Sequence, residues 1–179
     1  MPITRDYTNY GGKVKSAISP TGNLVDRFVA PTQLLLRDNG QLSFNFNFET
    51  WEDTSNFNND EPSIDAFKIN VNSQFFDVEE VETTFSTLLN AIRAGVLEYL
   101  ELDPDDWKMV SIQVNTMTFN IYVQAVHKTK PTKKLEEIVS GSDDFNALKA
   151  AHADDIVIPL LSMAWVLGQQ HSAELAKFD

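Results

Sequence analysis

The chain contains no cysteine among its 179 residues. This excludes disulfide bonds, thiolate nucleophiles, iron–sulfur clusters and cysteine-ligated zinc within the chain. Its seven glycines form neither a phosphate-binding loop nor a Gly-x-Ser-x-Gly nucleophile elbow. The sequence signatures of the commonest enzyme classes are therefore missing, and we expect a protein without enzymatic activity, cofactor or metal.

Long hydrophobic runs and excess positive charge are also missing. No stretch reaches the ~20 apolar residues of a membrane helix, and the N-terminus lacks a charged-then-apolar signal pattern. We expect a protein that is synthesised in the cytoplasm, from where a virion can incorporate it, and that does not bind membranes. With 26 acidic and 14 basic residues the formal net charge is −12, which disfavours nucleic acid as a partner.

A regular alternation over 42–49 is the strongest local pattern. Apolar side chains occupy one side of a predicted strand, and uncharged polar ones dominate the other. The apolar set is Leu42, Phe44, Phe46 and Phe48, and the polar set is Ser43, Asn45, Asn47 and Glu49. With the turn at Asp38-Asn39-Gly40, the pattern predicts a hairpin of 32–37 with 41–51. Because the polar side is nearly uncharged, it can meet a partner with little desolvation, and we predict an interface at Asn45 and Asn47.

Further strands and one helix follow from the periodicity of the apolar residues. Alternation over 66–74 predicts a strand, and apolar spacings of three and four predict an amphipathic helix over 78–102. Asp77 is expected to cap this helix and Asp103-Pro104 to end it. Over 109–126 the alternation changes phase at Asn115-Thr116, which is typical of a hairpin or a bulge, and we favour the hairpin.

The remaining segments complete the predicted fold. After Pro131 the texture is helical: Thr132–Ser140, Ser142–Ala151 and a last helix capped by Asp154 or Asp155, with Pro159 in its first turn. We predict an α+β fold, in which an antiparallel sheet of about five strands packs on the 78–102 helix, followed by a C-terminal helical layer. Residues 1–31 are expected to form an N-terminal arm or irregular segment. Residues 32–179 are expected to form one domain with a polar loop at 52–63 and a helical part at 132–178.

The last predicted helix is apolar on every side over 156–167. A helix of this kind must be buried on several sides, by its own chain or by a second subunit. We therefore predict an interface at Ile156, Leu160, Leu161 and Trp165. The leading hypothesis is a non-enzymatic structural protein that assembles with itself, as a homo-oligomer, or with a partner protein. A virion, or the apparatus that assembles one, is the setting that the composition suggests.

An alternative function is the binding of single-stranded nucleic acid. Four lysines lie close together in the sequence, at Lys128, Lys130, Lys133 and Lys134. Such a cluster binds single strands when aromatic rings nearby can stack on the bases. The predicted site adds Trp51 and Tyr122 as the stacking rings.

A second alternative is an enzyme whose site is formed by residues distant in sequence. His152-Ala153-Asp154-Asp155 brings an imidazole and two carboxylates together. Neighbouring residues of a helix point in different directions, so we favour a helix-capping role for Asp155. An enzyme would require a pocket in which His152 meets an Asp or Glu from a distant segment.

Overall fold

The computed structural model describes residues 12–18, 21–22, 24–38, 41–71, 77–172 and 175–177. Seven strands form one antiparallel sheet: β1 (Lys13–Ile18), β2 (Leu24–Asp38), β3 (Leu42–Trp51), β4 (Asp65–Val71), β5 (Trp107–Asn115), β6 (Asn120–His127) and β7 (Lys134–Ser140). The helices are α1 (Thr54–Asn58), α2 (Val78–Thr84), α3 (Ser86–Tyr99), α4 (Ser142–Ala151) and α5 (Ile158–His171). A π-helical turn, Ala153–Val157, leads into α5, and a 3₁₀ turn, Leu175–Lys177, follows it. The α+β class is confirmed, with seven strands in place of about five.

The long strand β2 organises the sheet, whose order is β4-β3-β2-β5-β6-β7. β3 pairs along one edge of β2. Along the other edge, the first half of β2 pairs with β1 and the second half with β5. The halves meet at a bulge between Pro31 and Gln33, where a residue without an amide N–H is tolerated. Thr116 completes the bonding there, because its N–H donates to the Thr32 carbonyl (3.0 Å) and its hydroxyl to the Pro31 carbonyl (3.2 Å). β2 continues through residue 31, where the expected N-terminal arm or irregular segment was to end. Residues 24–31 therefore belong to the sheet.

The phenylalanine side of β3 is the floor of the core. Phe44, Phe46 and Phe48 are at most 2% exposed. Neighbouring strands contribute aliphatic side chains to the same cluster, among them Leu34, Leu36, Ile112, Val114, Ile121 and Val123. α3 and α5 cover this floor with Leu89, Ile92, Val96, Leu160, Met163 and Ala164, all fully buried.

The predicted 78–102 helix is two helices, interrupted at Phe85, whose ψ of 21° is not helical. Threonines precede this residue, and threonine and phenylalanine are weak helix formers. The cap is confirmed, since the Asp77 carboxylate accepts the Glu80 N–H at 3.1 Å. The end of the helix differs from the prediction, because α3 stops at Tyr99. Glu101 has a φ of 57°, and the Leu102 N–H donates to the Leu97 carbonyl. This αL closure ends the helix before Asp103-Pro104 is reached.

The hairpin predicted within 109–126 is confirmed as β5 and β6, joined by residues 116–119. Phe119 has a φ of 57° in this connection. β5 also contains a bulge between Met109 and Ser111. For the first predicted hairpin, β2 and β3 are paired, and Asn39-Gly40 lie outside the described residues, as do 72–76 at the end of the predicted 66–74 strand.

The helix expected over Thr132–Ser140 is wrong, because Lys134–Ser140 is the strand β7 paired with β6. Without β7, the outer edge of β6 would be left unpaired, and pairing outweighs a weak local preference for helix. The helical part therefore begins at Ser142. α4 and the position of Pro159 are confirmed, whereas Asp154 and Asp155 lie in the π-helical turn and cap nothing there.

The segment 52–63, expected to be a polar loop, contains the short helix α1. The Asp53 carboxylate caps it by accepting the Asn56 N–H at 2.8 Å. Phe57 is fully buried, with its ring centroid 4.6 Å from that of Phe28 and 5.0 Å from that of Trp51. The Trp51 indole N–H donates to the Glu61 carbonyl at 2.9 Å. The one apolar residue of the segment thus anchors it to the sheet.

No single described helix is long and apolar enough to cross a membrane. Taken together, α4 and the helical segment 153–171 have the length and apolar composition of a membrane span, but the chain bends by 82° between them.

Arg93 joins α3 to the end of β2 and to α2. Its Nε donates to Asp38 at 2.9 Å, and its two Nη atoms donate to the Glu82 carboxylate at 2.8 and 3.0 Å. These hydrogen bonds hold the pKa of Glu82 below its usual value, although burial opposes the effect. The Glu82 bond also contributes most to raising the pKa of Arg93.

The Glu82 pair predicts a specific acid sensitivity. A carboxylate with a lowered folded-state pKa stabilises the fold above its unfolded pKa and loses that contribution as the pH falls through the folded value. We expect Glu82→Gln to lose less stability than the wild type in urea unfolding between about pH 6 and about pH 3. Because the Glu82 side chain is 43% exposed, the difference should stay below about 1 kcal/mol. Glu98→Gln, at an exposed position of α3, is the control, and equal acid dependence in both variants would contradict the prediction.

Candidate functional site

α5 is buried on the sides that face the sheet and the preceding helices. Trp165 is 6% exposed, and its ring packs edge-on against Phe48 with centroids 5.3 Å apart. Ile156 and Leu160 are at most 1% exposed. Three of the four residues predicted as an interface on this helix are therefore core residues, because the chain itself covers that side. Leu161 is the fourth, and it is half-buried at the surface.

Another side of α5 carries apolar side chains that the described part of the chain leaves exposed. Ile158 is 53% exposed and Val166 38% exposed, with half-buried Leu161 between them. Leu161 and Val166 lie three and eight positions from Ile158, and all three border one surface cavity together with Trp165. We call Ile158, Leu161 and Val166 the α5 strip. The sequence predicted one member of the strip, Leu161, and did not identify Ile158 or Val166.

Two shallow cavities flank the α5 strip. One, of about 410 Å³, lies beside Lys13, Trp165 and Val166; the other, of about 470 Å³, lies beside Lys149, Ala153 and Val157, and Leu161 borders both. The Lys13 ammonium lies 4.9 Å from the centroid of the Trp165 ring, at cation–π distance. The strip is therefore a ridge between two depressions, a shape that can interlock with a complementary surface.

The polar side of β3 continues across the sheet as an amide-rich face, bordered by Lys68 of β4, which is opposite Asn47. Asn47 is opposite Gln33, Gln33 is opposite Asn115, and Asn115 is opposite Asn120. The Asn47 amide donates to the Gln33 side-chain carbonyl at 2.8 Å, while its own Oδ1 is buried without a partner. Asn45 lies in the next row, with Gln113 and Tyr122. Asn45 and Asn47 are thus half-buried members of a wider amide-rich face, and their role as an interface stays a prediction.

The four lysines of the nucleic-acid alternative are exposed in and around the β6–β7 connection. The predicted rings do not join them equally. Trp51 is 1% exposed and is covered by Phe57, so it cannot stack on a base. Tyr122 lies on the amide-rich face, where partial burial and a hydrogen bond to Glu136 raise its pKa. A ring that the sequence did not suggest, Trp107, lies closest, with the Lys133 ammonium 5.6 Å from its centroid.

His152 lines a cavity that acidic side chains from other elements also line. A contact between His152 and a distant carboxylate, which the enzyme alternative requires, stays a prediction. The His152 Nδ1 is 3.2 Å from both carboxylate oxygens of Asp155. Glu137 of β7 and Asp144 of α4 line the same cavity, which has a volume of about 410 Å³. Tyr99 borders it too, donating its hydroxyl to Glu137 at 2.8 Å. Burial, followed by that hydrogen bond, raises the pKa of Tyr99 to about 12.

The chemistry available in this cavity is proton transfer by an imidazole held against a carboxylate. Among the described residues, no group of three or more histidine or acidic side chains is arranged to hold a metal ion.

Comparison of the chain with protein-family models, with curated proteins and with solved structures gives no match. Function must therefore be inferred from the side chains themselves.

The turn that carries Asp155 depends on a close approach to α3. A Cβ on Gly95 would lie 2.8 Å from Cγ1 of Ile156 and 2.9 Å from Cγ of Asp155. We expect Gly95→Ala to lower the free energy of unfolding by about 1–3 kcal/mol through overpacking, although alanine favours helix. The imidazole resonances of His152 should shift as Asp155 is displaced. Ala94→Ser, at the exposed neighbouring position, should change little, and a Gly95→Ala protein as stable as the wild type would contradict the prediction.

Proposed function

We propose that this protein is a non-enzymatic structural component that assembles with itself or with a partner protein through the α5 strip. The observation that supports this most is the exposure of Ile158 and Val166 on a helix whose other sides are core. When a second surface covers apolar side chains that are exposed to water on one ridge, the free energy of the system falls. That the assembly belongs to a virion stays a prediction.

Charge on the strip is consistent with this proposal. Ile158, Leu161 and Val166 of the strip are uncharged, as are Ser162 and Gln169 beside them, whereas Lys13 and Lys149 line the flanking cavities. A protein of net charge −12 repels its own copies at a distance. Contact is least unfavourable where both surfaces carry no charge, and the strip provides such a place.

Replacement of the strip residues tests the proposal. We expect the double change Ile158→Asp and Val166→Asp to raise the dissociation constant about tenfold or more above that of the wild type. Two apolar side chains that the assembly would bury become charged. Sedimentation equilibrium measures this constant. Ile64→Asp is the matched control, since Ile64 is 51% exposed outside the strip. A strictly monomeric wild type at high concentration, or an assembly that the double change leaves intact, would contradict the proposal.

Salt dependence separates this proposal from nucleic-acid binding. Screening weakens the repulsion between acidic copies, so assembly through an uncharged strip should tighten as salt is added. Binding of a single strand by the four lysines should weaken with salt, through counterion release.

A second candidate function, an enzyme or a binder of small molecules, is favoured by the cavity that His152, Glu137 and Asp144 line together. A fragment library screened by the imidazole resonances of His152 tests it. A shift that is lost in Glu137→Gln would support a ligand site, and a screen without any shift would remove this candidate.

A further inference from the structure

β7 is an edge strand with an open side. It is last in the strand order, and no other described strand pairs with its outer edge. Residues 134–138 are all exposed, including Leu135 at 38%. An unpaired edge of this kind offers amide and carbonyl groups to any extended chain that approaches.

The backbone direction of β7 follows from the hydrogen bonds at its two ends. The His127 N–H donates to the Lys133 carbonyl, and the Gly141 N–H donates to the Phe119 carbonyl. Odd-numbered residues of β7 therefore turn their backbone groups toward β6. Because these groups alternate along a strand, Lys134, Glu136 and Ile138 turn theirs to the open side.

The charges along this edge are complementary to those of the same strand read in the opposite direction. The sequence Lys133-Lys134-Leu135-Glu136-Glu137 has two positive residues, a central leucine and two negative residues. An antiparallel copy centred on Leu135 places Lys134 opposite Glu136 of the second copy, and Lys133 opposite Glu137. Each of the four lysine and glutamate positions in one copy then faces an opposite charge.

Competing registers are less favourable in bonding or in charge. Displacement of the two-fold centre by half a residue would oppose an even residue to an odd one, so the outward backbone groups would not meet. A centre at Lys134 would oppose two lysines, and a centre at Glu136 would oppose two glutamates. Like charges directly opposite are destabilising, and opposite charges are stabilising. Centres at Ile138 or Val139 bring no charge opposite another. The register centred on Leu135 is favoured because it meets the bonding condition and also pairs every lysine with a glutamate.

The existing contacts of the two glutamates are compatible with the pairing, whereas Lys133 would exchange its place 5.6 Å from the Trp107 ring for the glutamate of the second copy. Oε1 of Glu137 accepts the Tyr99 hydroxyl, and Oε1 of Glu136 accepts the Gln124 amide at 2.8 Å. A carboxylate has about four acceptor positions over its two oxygens. Each glutamate can therefore accept a lysine of the second copy while it keeps its present bond.

We propose that two copies of this chain pair antiparallel through β7, with the two-fold axis at Leu135, and so join their sheets into one. The contact is isologous, since each copy presents the same surface. It requires self-association, which the proposed function includes, but it does not involve the α5 strip. The two proposals can therefore fail separately.

A cysteine placed on the axis tests the register directly. The chain has no cysteine, so Leu135→Cys introduces a single thiol in each copy. In the proposed pair the two residues 135 form a non-hydrogen-bonded pair, with Cα atoms about 4.5 Å apart, within disulfide range. We expect rapid oxidation to a disulfide dimer. Ile138→Cys and Glu136→Cys lie on the same exposed strand but not on the axis, and should cross-link about tenfold more slowly or less. Equal rates in the three variants would overturn the proposal.

Charge reversal tests the pairing without cysteine. The lysine-reversal variant (Lys133→Glu with Lys134→Glu) and the glutamate-reversal variant (Glu136→Lys with Glu137→Lys) should each weaken self-pairing about tenfold or more, because four opposite-charge pairs become like-charge pairs. An equimolar mixture should pair again, as should a chain that carries all four changes. Circular dichroism checks that each variant folds. Undiminished self-pairing of either variant, or no recovery in the mixture, would overturn the proposal.

The outcomes also separate the two surfaces. If the α5 changes dissolve the assembly while Leu135→Cys fails to cross-link, the proposed function stands and the β7 pairing falls. If Leu135→Cys cross-links while the α5 changes have no effect, the reverse holds.

Discussion

Burial of the phenylalanine side of β3 is the constraint on which the rest of the structure depends. Three rings that are at most 2% exposed contribute about 1.5–3 kcal/mol each to the fold. They can be buried only if helices lie across that side of the sheet. Phe48 illustrates the dependence, because its ring contacts Trp165 of α5 and stacks on Phe67 of β4 at 5.8 Å. One side chain thus ties an edge strand to the last helix and decides which side of α5 remains outside.

The parts of the fold that the sequence predicts are those in which one strong pattern decides the structure. Strict alternation places Phe44, Phe46 and Phe48 in the core, and the phase change at Asn115-Thr116 marks a hairpin because a register shift exchanges the two sides of a strand. The Asp77 cap is a local hydrogen bond, so its residues are adjacent in the chain. Each of these features can be predicted from residues that are neighbours in the sequence.

The missed features depend on distant partners. β7 has a helical composition, and only the free edge of β6 makes Lys134–Ser140 a strand. An all-round apolar helix such as α5 carries no local signal of which side its own chain covers, so Leu160 and Trp165 could not be separated from Ile158 and Val166. The His152 cavity draws on α3, β7 and α4, whose meeting no sequence spacing reveals. Strong net charge still limits the possible contacts, since copies of an acidic chain can approach only at surfaces that are uncharged or self-compensating.

The bulge of β2 has a consequence for how the chain folds. β2–β3 and β5–β6 are hairpins whose partners are near in sequence, but β2 meets β5 across a long separation, and the hydroxyl of Thr116 reaches the Pro31 carbonyl 85 residues away. Loop-closure entropy opposes such a non-local pairing until its contacts form. Pairing of β2 with β5 is therefore the loop closure in this sheet that costs more conformational entropy than either hairpin. Until residues 111–115 of β5 are available, the second half of β2 has β3 as its partner and its other edge stays open.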